Sequence, residues 1–312
     1  MTLDPDVAMI FEAVKAAGSK PLHTMGVQYA RMLIEKAPQP PAPEMAEVTD
    51  GAFAGPHGDV RVRIYRPVPD DGAAPALVYF HGGGMIMGSV DTFDSLARHL
   101  AASCAAVVIS VDYRLAPEHP YPVASDEAYA ALVWAHANAD ELRIDPDRVG
   151  LAGDSAGGSL VAGAALRARD EGGPAIAVQL LLYPGLERVS DRPSMAEFAD
   201  GPGITRDDVI WMKRLYLGDD ESADTKYGVP ALAEDVSGLP DAVVVSAEAD
   251  VLRDGVEDYG QRLRAAGVPT ALLRYPGVAH GFLSQAGRTR RAGTAFAEIG
   301  MLTRAKFARG NR

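Results

Sequence analysis

Residues 149–163 read VGLAGDSAGGSLVAG: a short apolar run, one serine among glycines, then a stretch of small residues. The run predicts a buried strand over 148–153, and the small residues predict a helix over 156–170. Between them, Gly153-Asp154-Ser155-Ala156-Gly157 fits G-x-S-x-G, with the strand before and helix after that a nucleophile elbow needs. An elbow strains the serine backbone, so positions two before and two after it must be small. Gly153 and Gly157 meet that demand. The helix start adds positive potential where an oxyanion would form, with the Ala156 N–H as a donor. A plain β-to-α turn, or an anion-binding nest of N–H groups, would use the same residues. A serine hydroxyl alone is a weak nucleophile, so a base, an orienting acid and a second oxyanion donor must come from elsewhere.

Outward from this stretch the chain keeps a βα rhythm. Strands are expected at 75–80, 105–113, 148–153, 175–184, 241–247 and 270–277. Helices are expected at 91–103, 125–138, 156–170 and 253–266, with a last one from about Ala286. The helix at 125–138 opens on Ser-Asp-Glu, which reads as an N-cap followed by first-turn acids. Continuous apolar strands alternating with helices predict an α/β fold, a mainly parallel central sheet covered by helices on both faces. Catalytic groups in such folds sit at the carboxyl ends of strands.

Two regions break the rhythm. Before the proline-rich connector APQPPAPEMAEV (37–48) lie two helical patterns, about 5–17 and 25–36, and from Val60 the alternation VRVRIYRP reads as a strand with one wet face. The interval 185–225 is too long for a simple connection, as lids often are, and its middle, TRDDVIWMKRLYLG, reads as a capped amphipathic helix. The expected organisation is a cap segment at 1–45, a catalytic domain at 46–184 and 226–312, and a second cap segment at 185–225.

The missing chemistry can be located. After the strand at 75–80 comes HGGG, His81 to Gly84, the kind of loop that makes the other half of an oxyanion hole. Glycines let backbone N–H groups approach a substrate oxygen unobstructed. Gly83 and Gly84 are the expected donors, Gly82 shapes the loop, and His81 reads as a structural hydrogen-bonding group. In this chain order the base must follow the nucleophile, and of seven histidines only His280 follows Ser155. It lies in YPGVAHGF, just beyond a strand. The acid belongs between them, where Glu248, Asp250 and Asp254 are available. Asp250 is favoured because it follows its strand after a short turn, Asp254 reads as the start of the next helix, and Glu248 stands in reserve.

These ordered motifs, with DYRLAPEHPYP (112–122) and LPDAVVVSAEADVLRDG (239–255), resemble the bacterial hormone-sensitive-lipase-like esterases of the α/β-hydrolase superfamily along nearly the whole chain. The resemblance implies Ser155, Asp250 and His280 as a triad, with Gly83, Gly84 and Ala156 as oxyanion donors. It implies a cap built from both non-rhythmic segments, and edge-strand homodimers. The activity it implies is carboxylic-ester hydrolysis through an acyl-enzyme. An enclosed pocket under a two-part cap points to short or medium acyl chains. Val251 stands where the family usually has proline, which changes the acid's turn. MIM (85–87) replaces a segment that often carries an aromatic, which changes pocket shape. Met85, Met87, Phe93, Trp211 and Phe282 are candidates to line the pocket, and a core role serves each equally well. Amide, thioester or lactone hydrolysis would use the same triad. A non-catalytic receptor on this fold would be expected to lack one of its members.

Composition bounds the rest. A chain of 312 residues with 47% hydrophobic and 23% charged content can bury a sizeable core. A net charge of −12 disfavours a nucleic-acid partner. The single cysteine, Cys104, excludes an intrachain disulfide, fits a reducing compartment and reads as a buried thiol. The start of the chain shows no signal-peptide pattern and no stretch is long enough to span a membrane, so a cytoplasmic location is expected. No metal-ligand spacing and no dinucleotide or phosphate-loop fingerprint occurs, so neither metal nor cofactor is expected. Asp154 either orders the elbow or serves as a first-turn acid, the second being sufficient, and the arginines 288, 290 and 291 read as a solvated helix face. Glu118 reads as a hydrogen-bonding group in a rigid loop.

Overall fold

A computed structural model describes residues 2–16, 18, 20–69, 72–221 and 224–308. Position 17, the end of the first predicted helix, and positions 1 and 309–312, at the outer ends of the expected segments, lie outside the described residues. The described residues hold eight strands in one sheet: β1 (Glu47–Gly55), β2 (Gly58–Arg66), β3 (Ala74–Phe80), β4 (Val107–Val111), β5 (Ile144–Asp154), β6 (Gln179–Leu182), β7 (Ala242–Ala249) and β8 (Thr270–Ala279). They lie in the order β1-β2-β4-β3-β5-β6-β7-β8. β2 pairs antiparallel with both β1 and β4, and the remaining pairings are all parallel. The helices are α1 (Pro5–Ala16), α2 (Leu22–Met25), α3 (Val27–Lys36), α4 (Asp94–Cys104), α5 (Val123–Ala137), α6 (Ala156–Glu171), α7 (Pro193–Glu197), α8 (Arg206–Leu217), α9 (Arg253–Ala265) and α10 (Arg290–Phe307).

Strand periodicity divides the core. Ala76, Val78 and Phe80 of β3 join one apolar cluster with residues of α5, α6 and α9. Leu77 and Tyr79 join the other, with residues of α4 and α10. Successive side chains of a strand point to opposite faces, so a strand apolar on both is buried between two helix layers. This is the α/β-hydrolase arrangement expected from the sequence.

The departures are local. β1 carries no prediction, because eight of its nine residues are exposed or half-buried and only Phe53 is buried. An edge strand paired on one side lacks the apolar alternation that betrays a strand. The helix expected over 25–36 divides at Gly26, whose φ of 84° ends α2 before α3 begins. Ser125 does not cap α5, which starts two residues earlier after Pro122 and carries Ser125 buried in its first turn. The strand expected over 175–184 shortens to β6, and α10 starts at Arg290 after a 3₁₀ turn over Phe282–Gln285. α8 has the expected cap: Thr205 Oγ1 accepts from Asp208 N, and the Asp208 carboxylate accepts from Thr205 N.

The basic run is not merely a solvated face. Arg291 pairs with Asp4 at 2.6 Å, Arg288 donates to the Pro38 carbonyl, and Arg290 N donates to Asp6, so the run ties the start of α1 and the proline-rich connector to the body. Cys104 is buried, which pushes its thiol up to about 12. Among the described residues no helix is long and apolar enough to cross a membrane.

Candidate active site

Ser155 sits between β5 and α6 with φ 52° and ψ −117°, a conformation that costs a non-glycine residue energy. Its neighbours allow it. A Cβ on Gly153 would lie 2.3 Å from the Gly157 backbone, and one on Gly157 would lie 1.9 Å from the Phe80 carbonyl. The strain is held by main-chain bonds: Ser155 N donates to Leu182 O at 2.8 Å, and Ser155 O accepts from Gly185 N and Ser159 N.

Asp250 follows β7 directly and His280 follows β8 directly, so parallel strand order brings three distant residues to one edge of the sheet. Ser155 Oγ and His280 Nε2 lie 2.8 Å apart, and His280 Nδ1 and Asp250 Oδ2 also 2.8 Å. Asp250 is 1% exposed, and its other oxygen accepts from Leu252 N at 2.9 Å. Val251, where the resemblance led one to expect proline, has its carbonyl held by Ser194 Oγ of α7. Burial alone would lower the His280 pKa. The charge and hydrogen bond of Asp250 outweigh it, so His280 rises above the ordinary histidine value. Tyr183 packs edge-on against the imidazole at 5.2 Å. The other acids lie elsewhere: the Glu248 carboxylate accepts from Gly277 N, and Asp254 lies in the first turn of α9 and pairs with Arg253.

The HGGG loop follows β3. Gly83 and Gly84 have φ of 108° and 65°. A Cβ on Gly83 would lie 2.1 Å from the Met87 carbonyl, so only glycine fits there. The Gly83 carbonyl accepts from Ile86 N and Met87 N, which turns the loop back on itself. His81 is buried, stacked between Phe93 and Tyr113 at 5.1 and 4.4 Å, and burial pushes it below the ordinary histidine value. Asp154 does more than charge a helix start. It is 2% exposed, and one carboxylate oxygen accepts from Gly82 N at 2.9 Å and from the Tyr79 hydroxyl at 2.7 Å. Burial raises it to about 6. The residue beside Ser155 therefore pins the glycine loop to the elbow.

A narrow cavity of about 40 Å³ opens on Ser155, bordered by Gly84 and Ala156 on the body and by Val209, Met212 and Tyr216 of α8. Of the five apolar candidates, Met85 lines it. Phe93 is taken up by His81, Phe282 by Tyr183 and Tyr275, and Met87 and Trp211 pack against the core cluster. Trp211 is two positions from Val209, so at about 100° per residue it points away from the face carrying Val209, Met212 and Tyr216. That spacing within 206–217 is the signal that could have found the cap's contribution.

The helices of the two expected cap segments are tied down by polar side chains. Asp208 of α8 accepts from the His23 backbone at 2.9 Å, and its carboxylate lies 2.8 Å from the His23 ring. Arg31 of α3 donates to the Ile86 and Ala116 carbonyls and forks onto Glu118, joining cap, glycine loop and the 112–122 loop. Glu118 is thus a positioning partner outside the reacting centre. Among the described residues no cluster of histidine, cysteine and acidic groups suits a metal ion.

Comparison with known proteins agrees with this architecture. Residues 77–284 match a family described by its α/β-hydrolase fold. Esterase LipI of Mycobacterium tuberculosis is 41% identical over 265 residues, 84% of this chain and 83% of that protein. An arylesterase of Saccharolobus solfataricus is 36% identical over 294 residues, 93% and 95% of the two chains. The hyperthermophilic esterase of the archaeon Pyrobaculum calidifontis superposes with a TM-score of 0.90 at 37% identity, covering 98% of this chain and 99% of its own. The chain belongs to the hormone-sensitive-lipase-like esterases of the α/β-hydrolase superfamily.

Proposed function

We propose that this protein is a serine carboxylesterase that hydrolyses short- to medium-chain acyl esters by way of an acyl-enzyme, favouring the short end. The carrying observation is the pair of 2.8 Å contacts that align Ser155, His280 and Asp250 at the strand ends. With its proton on Nδ1 donated to Asp250, His280 accepts the Ser155 proton at Nε2 as Oγ attacks the ester carbonyl. The oxyanion is held by the N–H groups of Gly83, Gly84 and Ala156. His280 then gives its proton to the leaving alcohol, and the alkoxy C–O bond breaks. Water, deprotonated by His280, attacks the acyl-serine, and the acid leaves with Ser155 restored. Asp250 keeps the tautomer and stabilises the imidazolium without taking the proton.

The modest size of the cavity, about 40 Å³, supports short chains. Of the expected cap segments, 1–45 and 185–225, the second borders it through α8, and the first braces α8 through α2. Substrate binding falls to Met85 from the body and to Val209, Met212 and Tyr216 from the cap. The test is turnover of p-nitrophenyl acetate, butyrate and decanoate by the wild type and by Ser155→Ala. The reading expects acetate and butyrate to outrun decanoate, and the variant to be inert. A variant that keeps its rate would overturn it. Amide, thioester and lactone analogues in the same assay rank the bonds that share this tetrahedral intermediate.

A further inference from the structure

Lys213 has no part in the chemistry above, yet it lines the cavity with Ser155. It stands on α8 beside Met212, one turn from Val209 and just short of one from Tyr216, the face that α8 turns toward the nucleophile. A helix-surface lysine normally carries its ammonium out to water. This one is half-buried as a residue, and its side chain borders the cavity.

Among the described residues its ammonium makes one hydrogen bond, donating to the Gly185 carbonyl at 2.5 Å. That oxygen also accepts from Ser159 Oγ at 2.6 Å, so both its lone pairs are used. An ammonium carries three donors, and two are left over. Two carboxylates are close enough for their charge to be felt, and both are committed elsewhere. Glu187 is paired with Arg192 at 2.6 Å, and Asp224 is paired with Arg188. Arg188 itself opposes the charge on Lys213. Desolvation is the largest influence on the ammonium and lowers it to about 8, which leaves it mostly charged at neutral pH. A cation out of water without its own counter-ion is costly to keep. Such a group gains most from a ligand that brings the missing anion into the same low-dielectric space.

We propose that Lys213 is a specificity-determining residue that receives a carboxylate carried by the acyl group filling this cavity, so that half-esters of short dicarboxylic acids are preferred substrates. The two free N–H donors suit the two oxygens of a carboxylate, and the cavity's size keeps the arm between ester and carboxylate short. The inference rests on the ester-hydrolase reading and adds the class of acyl group to it.

Ethyl butyrate and monoethyl succinate test it, because they differ by a carboxylate in place of a methyl group at the end of an acyl chain of equal length. Acid release is followed for wild type, Lys213→Met and Lys213→Arg, with thermal melts to establish folding. The readout is the ratio of kcat/KM for succinate over butyrate, which divides out any general loss in a variant. The ratio is expected to fall about 10- to 100-fold in Lys213→Met, the scale of a charge-assisted hydrogen bond, and to recover in part in Lys213→Arg. Free succinate is expected to inhibit the wild type competitively and Lys213→Met far more weakly. An unchanged ratio in Lys213→Met, or a wild type that hydrolyses ethyl butyrate and rejects monoethyl succinate, overturns the proposal. A wild type inert toward both esters is a different failure, and it strikes the ester-hydrolase reading itself.

Discussion

At the strand ends, Ser155, Asp250 and His280 are fixed by main-chain geometry: parallel strand order, a strained elbow, and glycines whose missing Cβ atoms let backbones touch. Above them, α2, α3 and α8 are held chiefly by side chains, through His23 on Asp208 and Arg31 on Glu118 and two carbonyls, with one main-chain bond from Tyr121 N to Tyr216 O. Backbone geometry leaves almost no latitude, because one added methyl meets a carbonyl at 1.9 or 2.1 Å. These side-chain links, from the exposed end of Glu118 to the buried carboxylate of Asp208, are individually worth about 1–3 kcal/mol, so single ones can be exchanged without loss of the fold. On the proposed function, the reaction belongs to the rigid edge of the sheet, and the choice of substrate to a helix that rests on it.

If that division holds, damage at the edge should be far larger than damage in the cap. Ser155→Ala should cut kcat by about 10⁴-fold or more with an unchanged melting temperature, since it removes the nucleophile and leaves the elbow in place. Asp250→Asn keeps the shape but presents the wrong hydrogen-bonding group to His280, and a loss of about 10⁴-fold in kcat is expected. Gly83→Ala forces the loop off the Met87 carbonyl, and kcat should fall by about 10²-fold or more, as when an oxyanion donor is lost. Arg31→Met, a cap change, should lower the melting temperature by about 2–4 °C and alter KM more than kcat. A cap variant that cost as much in kcat as Asp250→Asn would break the division.

Acidification probes the edge through His280. Asp250 holds His280 above its ordinary value, so the protonated, inactive form persists to higher pH than for a free imidazole. The kcat/KM profile should climb with pH through a midpoint above about 6.5, and fall away below it. A flat profile from about pH 5 to 8 where chemistry limits the rate would remove His280 as the base.

The same contrast explains what the sequence disclosed. Gly153, Gly157 and the HGGG run are local demands of the backbone, visible as letters at fixed spacing. His280 could be located because chain order left one eligible histidine, and Asp250 because it ends a strand. The pocket-forming face of α8 was harder. Val209, Met212 and Tyr216 read as ordinary amphipathic spacing, and which body residues they meet is a long-range matter. For Asp154 an elbow-ordering role is open from the sequence, but a helix-start acid suffices there because nothing nearby announces Tyr79 and Gly82 as its partners. β1 stayed hidden because its exposed side chains carry no burial signal.

The most direct test of the central claim is rapid-quench digestion of the enzyme with p-nitrophenyl acetate, followed by peptide mass analysis. Acetyl should appear on the peptide containing Ser155, in step with a burst of p-nitrophenol, and should be absent from Ser155→Ala. A burst with the acetyl on another residue, or steady turnover with no acylated serine in a regime where deacylation limits, would contradict the account.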